Sequence, residues 1–323
     1  MISERLATER ISGSSEIRVT CSPPGIAIYL WQDEKNLRML RTGVSSMFFH
    51  EYSLDSIFSG IVSAGADTVE FWLETPSFWT TGRNVEELGQ ILHAYPSLSP
   101  VTVHAPTLDL NPVSINPEVA AVSVDAVCSA MLTADEIKAE VITIHPGRRT
   151  AKRPPSRADM HRFWIYMEAV EAASRGLSVA VAIENMEPRV NSLLSTPEAV
   201  RDTLDEYPHL SFTFDYAHAC IGGGEMAEEF VRLNCDRIKN IHASYGSPSR
   251  MHAPLAGTEQ LDGLIRILAS IEYDGPVIFE IEDLALPERH GYQEKCSLLA
   301  GEVEQFQKAW HKGVHLSLQT SID

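Results

Sequence analysis

The stretch SFTFDYAHACIGGG, residues 211–224, begins as a buried strand and ends in polar residues and glycine. Apolar and β-prone residues run from Phe212 to Phe214, and Asp215 and His218 then precede the glycine run. Asp is common where strands end, because its side chain accepts hydrogen bonds from nearby backbone N–H groups. The stretch alone therefore fits two interpretations, a turn or a chemical site.

Seven other runs of β-prone residues lie along the chain, each followed by a helical pattern. The eight predicted strands are 43–49, 67–73, 100–104, 140–145, 178–184, 210–215, 237–242 and 276–282. The segments between them carry apolar residues three and four apart, which is the helical period. Near-continuous apolar strands suit a parallel sheet covered by helices. Eight such units over about 270 residues match a (β/α)₈ TIM barrel, which typically has about 250 residues.

The barrel is predicted to span residues 43–312 as a single domain. Residues 16–31 read as two short strands around a Pro-Pro-Gly turn. We therefore expect residues 1–42 to form a short N-terminal β extension packed on the barrel, and residues 313–323 to form a C-terminal tail. A doubly wound sheet is the alternative fold, but no GxGxxG motif follows the first strand.

Composition and charge exclude several classes of protein. The chain has 323 residues and a net charge of −18, which argues against a duplex-DNA partner because such a protein needs cations for the phosphates. No apolar run approaches the ~20 residues of a membrane span, and the N-terminal sequence is too charged for a signal peptide. Five scattered cysteines without a CxxC pair indicate neither disulfides nor a thiolate zinc site. We expect a cytoplasmic protein with no nucleic-acid or membrane partner.

One loop departs from this acidic composition. The segment HPGRRTAKRPPSR, residues 145–157, is rich in Arg and Lys and contains no acid. Such a run in an acidic protein can attract a small anionic substrate, with Arg148 and Arg149 as candidate contacts. A solvated, Pro-rich loop is the alternative interpretation.

Six successive predicted strands end on His, Asp or Glu. In order, the residues are His104, His145, Glu184, Asp215 with His218 just beyond, His242 and Glu280. A single histidine at a strand end is usually structural. In a TIM barrel, however, the C-terminal ends of the strands converge on one site, so these side chains are expected to meet.

Three carboxylates at one barrel mouth would repel one another and have raised pKa values unless a cation compensated them. Mixed imidazole and carboxylate ligands without cysteine suit Zn²⁺, Mn²⁺, Fe²⁺ or Co²⁺, whereas Mg²⁺ prefers oxygen ligands alone. Asp215 is therefore better interpreted as a metal ligand than as a turn former. Glu70, on the second strand, points either into the pocket or into the barrel interior.

The motifs at these positions resemble a known family. They are VHAP at 103–106, IHPG at 144–147, IEN at 183–185, FDYAH at 214–218, IHAS at 241–244, RMHAPLAG at 250–257 and GPVIFEIE at 275–282. In this order they are similar to the xylose-isomerase-like TIM-barrel superfamily, which includes sugar isomerases, ketose epimerases, inosose dehydratases and endonuclease IV. The resemblance covers residues 43–312.

The epimerase and isomerase branch implies one metal and two catalytic glutamates. By resemblance, the metal ligands would be Glu184, Asp215, His242 and Glu280. The two glutamates would also exchange protons with adjacent substrate carbons, and His218 and Arg250 would contact the substrate.

The endonuclease IV branch implies three zinc ions. Its ligands would be the same four residues together with His104, His145, His218 and an Asp-x-His pair. His252 fits the histidine of that pair, but Arg250 stands where the aspartate belongs. Two metals would then be held by His104, His145 and Glu184 and by the first four ligands, so one, two or three ions remain open.

Three functions follow from these patterns. The leading prediction is a metal-dependent isomerase or epimerase of a sugar or sugar phosphate, in which Glu184 and Glu280 transfer protons. Its small, anionic substrate is expected to contact His218, Arg250, His252, Arg148 and Arg149, and a homo-oligomer is left open. The alternative is a metal-dependent hydrolase of a small phosphodiester or phosphoester. The third is a barrel that binds a metal or ligand without catalysis.

Overall fold

The computed structural model describes residues 40–320, with backbone alone from residue 314 onward. The predicted extension over residues 1–42 lies almost entirely outside the described residues. The last helix runs to Thr320 and so continues past residue 312, where the barrel was predicted to end.

Eight parallel strands close into a barrel, which confirms the predicted fold. They are β1 Arg41–Ser45, β2 Thr68–Trp72, β3 Thr102–His104, β4 Val141–Ile144, β5 Ala180–Glu184, β6 Ser211–Asp215, β7 Ile238–Ala243 and β10 Pro276–Phe279. The strands pair in chain order, and β10 closes the circle between β7 and β1. Two further short strands, β8 Tyr245–Ser247 and β9 Arg250–Ala253, form an antiparallel hairpin after β7.

Ten α-helices accompany the strands in the described part of the chain. They are α1 Leu54–Ser63, α2 Pro76–Thr80, α3 Val85–Ala94, α4 Pro117–Glu136, α5 Arg157–Ser174, α6 Pro197–Glu206, α7 Tyr216–Ile221, α8 Gly224–Asn234, α9 Glu259–Ser270 and α10 Tyr292–Thr320. Several begin at a side chain that accepts a hydrogen bond from the first turn, such as Ser53 for α1, Asn84 for α3 and Thr196 for α6. These N-caps fix the residue at which each of these helices begins.

The first predicted strand is longer than the observed one. Strand β1 ends at Ser45, whose side chain accepts from the backbone N–H of Met47, and residues Ser46–Phe49 form a 3₁₀ turn. This local hydrogen bond competes with the strand ladder. Buried Phe48 and Phe49 nevertheless join the core, which explains why the segment is as apolar as a strand.

Helix α4 differs from the expectation that no apolar run is long enough to span a membrane. By length and composition alone this helix could cross a membrane, with a mean hydropathy of 1.3. It packs against α5 and β4 in the outer layer of the barrel, and Val127, Ala130 and Met131 on one face are buried. Val122 and Leu132 remain exposed. One face of α4 is thus buried in the barrel, and apolar side chains on the rest of the helix are exposed.

The barrel interior beneath the C-terminal strand ends is polar. Glu70, Thr102, Thr143, Thr213 and Asn240 are all fully buried there. Most TIM barrels fill this space with Val, Ile and Leu. The polar layer lies directly below the residues that end the strands.

Candidate metal centre

Eight acidic and histidine residues come together at one end of the barrel. His104, Glu184 and Asp215 end β3, β5 and β6, His242 lies one residue before the end of β7, His145 and Glu280 directly follow β4 and β10, and His218 and His252 lie on α7 and β9. They form three groups in which one donor atom from each residue lies within 4.8 Å of the others. The tetrad is Glu184, Asp215, His242 and Glu280; the first triad is His104, His145 and Glu184; and the second triad is Asp215, His218 and His252. Only His145 among these residues is partly exposed. The predicted convergence at one rim is what the structure shows.

Glu184 belongs to both the tetrad and the first triad. Its Oε2 lies 2.8 Å from His145 Nε2 and 3.5 Å from His104 Nε2. Its Oε1 lies 3.3 Å from His242 Nδ1 on the other side. One carboxylate thus faces two clusters of donors, which is the arrangement of a bridging ligand.

Asp215 serves the backbone and the cluster at once. Its Oδ1 accepts from the backbone N–H of His218 at 2.6 Å and so caps α7. The side chain of Asn185 bonds both backbone groups of Asp215, at 2.8 and 2.9 Å, and fixes the strand end. Oδ2 remains buried without a hydrogen bond, 3.8 Å from His242 Nδ1. Oδ1 therefore serves the strand end and the start of α7, while Oδ2 faces the cluster as a candidate metal ligand.

Two histidines have their ring orientation fixed by backbone carbonyls. His104 Nδ1 lies 2.8 Å from the carbonyl of Ala105, and His218 Nδ1 lies 2.9 Å from that of Asn185. Because a carbonyl only accepts, Nδ1 of each ring carries a proton, and in the neutral ring the lone pair is on Nε2. His104 Nε2 lies 3.5 Å from Glu184 Oε2, whereas His218 Nε2 faces Glu187 Oε2 at 3.9 Å. Metal-binding histidines are held in this way.

One oxygen of each tetrad carboxylate lacks a hydrogen-bond donor among the described residues. Glu184 Oε2, Asp215 Oδ2 and Glu280 Oε2 are buried and have no hydrogen bond of acceptable geometry. Imidazole nitrogens come as close as 2.8 Å to Glu184 and 2.9 Å to Glu280, but at angles that do not direct an N–H at the oxygen. Buried acceptors beside imidazole lone pairs suit a cation between them, so this ligand set fits a divalent metal.

The carboxyl groups respond to this environment in opposite directions. Burial, reinforced by the neighbouring Glu184 and Glu280, raises the pKa of Asp215 well above its usual value. Burial also opposes ionisation of Glu184, but His145 and His242 outweigh it and lower its pKa well below the usual value. The pKa of Glu280 is likewise lowered against the effect of burial, mainly by His242. The tetrad thus holds carboxylates whose charges depend on their neighbours.

The imidazoles compensate the carboxylates when no metal is bound. Burial disfavours protonation, yet Glu184 raises the pKa of His104 to about 9, and Asp215 and Glu184 raise that of His218 to about 9. For His252, burial dominates and lowers the pKa to about 4. A divalent cation would take the place of the protons on these rings.

Of the predicted substrate contacts, the structure brings His218 and His252 to the cluster but not Arg250. The two imidazole rings lie 5.0 Å apart, and His252 Nδ1 is 3.3 Å from Ser244 Oγ. Arg250 is exposed, and its Nε donates to the carbonyl of Ala285 at 2.9 Å.

Arg148 and Arg149, the two candidate contacts in the Arg- and Lys-rich loop 145–157, lie in different surroundings. Arg149 contacts the carbonyl of Pro154 and the carboxylate of Asp159, and so lies against the start of α5. Arg148 instead lines a cavity of about 420 Å³ that opens beside His145. Lys152 lines the same cavity.

Sequence reasoning missed Glu187, which joins the cavity to the cluster. It is buried, its Oε2 lies 3.9 Å from His218 Nε2, and its Oε1 lies 2.6 Å from Arg189 Nε. Its position three residues after Glu184, in the loop that leaves a site-forming strand, is the signal that would have found it.

The fold and site define a TIM-barrel protein with a candidate metal centre at the C-terminal ends of its strands. Residues 58–301 match the sequence model of the family described as xylose isomerase-like TIM barrel, and the chain belongs to this family. This confirms the resemblance inferred from the motifs.

Sequence relatives come from Methanocaldococcus jannaschii. The uncharacterized protein MJ1188 is 30% identical over 250 residues, covering 77% of this chain and 91% of the relative. The uncharacterized protein MJ1311 is 27% identical over 253 residues, covering 76% of this chain and 85% of the relative.

Solved structures of sugar epimerases share the fold. A D-tagatose 3-epimerase-like protein superposes with a TM-score of 0.67 at 22% identity, covering 85% of this chain and all of the other. An L-ribulose 3-epimerase gives 0.70 at 16% identity, covering 88% and 98%. The 3-keto-D-glucoside 4-epimerase YcjR from E. coli gives 0.68 at 17% identity, covering 82% and 99%. At these identities the similarity establishes the fold.

Proposed function

We propose that this protein is a divalent-metal-dependent isomerase or epimerase of a sugar or sugar phosphate. The observation that carries the proposal is the pair of carboxylates, Glu184 and Glu280, in one tetrad whose donor atoms could hold a metal. Strands β5 and β10 are separated by β6 and β7 in the barrel, so the two side chains reach the centre from separate positions on the rim. The structural similarity to sugar epimerases supports the same class of reaction.

In this proposal the tetrad holds a Zn²⁺, Mn²⁺, Co²⁺ or Fe²⁺ ion, which when bound polarises the neighbouring carbonyl and hydroxyl oxygens of the sugar. One of Glu184 and Glu280, as the carboxylate, accepts the proton from the carbon beside the carbonyl, and the bonding pair passes into an enediolate. That glutamate then returns the proton to the neighbouring carbon, which completes an isomerisation, or the other glutamate, after taking a proton from a sugar hydroxyl, delivers it to the opposite face of the same carbon, which completes an epimerisation. His218 and His252 lie beside the tetrad, where they can bond sugar hydroxyls.

The reaction can be tested by solvent exchange. Metal-loaded protein is incubated in D₂O with a panel of free and phosphorylated ketoses and aldoses, and NMR follows deuterium at the carbons beside the carbonyl. We expect a sugar that gains deuterium and converts to an epimer or isomer. Glu184→Gln and Glu280→Gln should each slow exchange at least about 100-fold, the usual contribution of a general acid or base. Conversion at the wild-type rate in either variant would refute the assigned roles.

The cavity beside His145 supports an anionic substrate. Among the described residues, the charged groups of Arg148 and Lys152 have no hydrogen-bond or ion-pair partner, while the third cation of this cavity, Arg189, is paired with Glu187. Two free cations at one cavity of a strongly acidic protein favour an anion such as a phosphate.

The anion contact is tested with Arg148→Ala and Lys152→Ala against Arg153→Ala, an exposed cation of the same loop that does not line the cavity. We expect KM for a phosphorylated substrate to rise about 10-fold or more in the first two variants, as loss of a charge-assisted hydrogen bond implies. KM for an unphosphorylated sugar should stay unchanged. Equal effects of all three variants would indicate a general effect of loop charge.

A hydrolase of a small phosphodiester or phosphoester is the second candidate, because the first triad offers a further set of donors that shares Glu184 with the tetrad. Two ions bridged by one carboxylate suit phosphoryl chemistry. His145→Ala separates the two functions, since His145 belongs only to the first triad. A one-metal isomerase should keep one tight metal per chain and its kcat on a free sugar. A two-metal hydrolase should lose one ion and its cleavage of bis(4-nitrophenyl) phosphate.

A further inference from the structure

Glu70 is a buried carboxylate that the proposed proton transfer does not use. It lies on β2 inside the barrel and is fully buried. Its Oε2 accepts from the side-chain amide of Asn240 at 2.7 Å and from the hydroxyl of Thr102 at 3.2 Å. His242 Nε2 lies 3.0 Å from its Oε1 and 3.1 Å from its Oε2. Glu70 therefore supports the imidazole of His242 from below.

We propose that Glu70 is a positioning residue that sets the tautomer and ring orientation of His242 for metal binding. The amide nitrogen of Asn240 also lies 3.2 Å from His242 Nε2, but its two hydrogens can serve Glu70 Oε2 and Thr143 Oγ1. Nε2 can therefore donate its proton to the Glu70 carboxylate, which only accepts, and Nδ1 is then the nitrogen whose lone pair a metal in the tetrad would take. Nδ1 faces the rest of the tetrad, 2.9 Å from Glu280 Oε2 and 3.3 Å from Glu184 Oε1. A carboxylate behind a ligating histidine also strengthens the imidazole as a ligand. This inference rests on the metal centre of the proposed function.

Two other imidazole rings of the cluster are also held through the nitrogen that bonds an acceptor, as proposed for His242. His104 and His218 each direct their second nitrogen at a backbone carbonyl. The ring of His242 reaches into the barrel, and its hydrogen bonds are to side chains. Glu70 is the acceptor beside its Nε2.

A purely structural role explains the carboxylate poorly. Among the described residues no Lys or Arg contacts Glu70, and a buried carboxylate without such a partner is costly compared with an apolar residue of similar volume. Its position is nevertheless well fixed: Asn240 also bonds Thr143 Oγ1 at 3.2 Å, and Thr143 bonds Thr213 at 2.8 Å. The network holds Glu70 in place, and Glu70 holds His242.

The test compares Glu70→Gln with Thr213→Val, which removes a hydroxyl from the same network three hydrogen bonds away from Glu70. Metal-free proteins are titrated with Mn²⁺, Co²⁺ and Zn²⁺ against a chromophoric chelator, and their unfolding is measured separately. We expect Glu70→Gln to bind the metal about 10- to 100-fold more weakly, the usual effect of losing such a partner. Its metal-free form should melt no lower than Thr213→Val, whose metal affinity should equal that of wild type.

Wild-type affinity in Glu70→Gln, or an equal loss in Thr213→Val, would overturn the inference. If Glu70→Gln does not fold, ¹⁵N NMR of the imidazoles of metal-loaded wild-type protein decides, with His242 assigned by the signal missing in His242→Gln. A proton on Nε2 is expected, and a proton on Nδ1 would overturn the inference. Failure of wild type to bind any of the three ions would reject the metal centre itself, whereas normal wild-type binding with an unaffected Glu70→Gln would reject only the role of Glu70.

Discussion

Asp215 uses its two carboxylate oxygens for different purposes. Oδ1 begins α7 by accepting from the backbone N–H of His218, while Oδ2 stays buried beside His242. The cap fixes the side chain in one rotamer and so aims the second oxygen into the cluster. A strand end that begins a helix therefore preorganises a candidate metal ligand.

We expect Asp215→Asn to keep the fold and lose the metal. The amide oxygen can still cap α7, but the amide nitrogen that replaces Oδ2 has no lone pair for a cation and brings no negative charge. Elemental analysis after dialysis should show a wild-type metal content in Asp202→Asn, an exposed aspartate on α6, and a much lower content in Asp215→Asn. Circular dichroism should be the same for all three proteins. An unchanged metal content in Asp215→Asn would remove this residue from the ligand set.

Whether the sequence could predict that a residue belongs to the site depended on whether the residue ends a strand or lies in a loop. Strand-end residues such as Glu184 and His242 follow from the alternation of strands and helices, because parallel strands bring their C-terminal ends together. The direction of a loop side chain depends on partners that the local sequence does not identify. Arg149 turns towards Asp159, ten residues further on, and Arg250 towards a carbonyl of the turn at Asp283–Ala285. Both were predicted to contact substrate, and the structure brings neither to the cluster.

The hairpin of β8 and β9 is the element that the sequence pattern did not predict. Its strands have three and four residues, too short for an alternating pattern to be recognised, and their pairing is irregular between Tyr245 and Ser247. The hairpin packs on α7 and carries His252, whose φ of 51° lies in the left-handed region. It thus brings one ring of the second triad to its place beside His218.

Gly246→Ala tests the contact between the hairpin and α7. A Cβ at this glycine would lie 2.1 Å from the backbone carbonyl oxygen of Ala217, so either the hairpin or the helix must move. We expect a loss of about 1–3 kcal/mol in the free energy of unfolding, as for other overpacked sites. Denaturant titration measures this loss. The affinity for divalent metal, measured separately, should also fall because Asp215 caps the start of α7.

Gly89→Ala is the matched control. In α3 a Cβ at this glycine meets no atom within 4 Å, so the change should raise stability by about 0.5–1 kcal/mol through the helix preference of alanine. If the two alanine variants unfolded at the same denaturant concentration, the close contact between hairpin and helix would be wrong.

At the scale of the whole molecule, the barrel was predictable because it repeats one simple pattern eight times. Each observed strand lies within or close to its predicted range, and the closed order follows from the size of the domain. The polar barrel interior was not predictable in the same way. Thr143 and Thr213 are ordinary β-prone residues in sequence, and only the closed barrel places them in one buried layer with Glu70.

The cluster also affects the stability of the whole molecule, since three buried carboxylates meet at the rim. Without a metal, protonated imidazoles such as His104 and His218 balance part of this charge, while oxygens of Glu184, Asp215 and Glu280 remain without hydrogen bonds. A ligand that binds only the folded state stabilises it by mass action, by about 2.7 kcal/mol at 100 times its dissociation constant.

We therefore expect Mn²⁺, Co²⁺ or Zn²⁺ to raise the melting temperature of the metal-free protein by several degrees, since about 1 kcal/mol corresponds to ~2–4 °C in domains of 150–250 residues. Calorimetry over a range of metal concentrations should show a shift that grows with the logarithm of concentration and disappears when a chelator is added. Asp215→Asn should show no shift, because the tetrad then lacks a ligand, whereas Asp202→Asn should behave as wild type. If all three proteins gained the same stability, the ions would be acting at another site, and if none did, the acids at the rim would be balanced by protons alone.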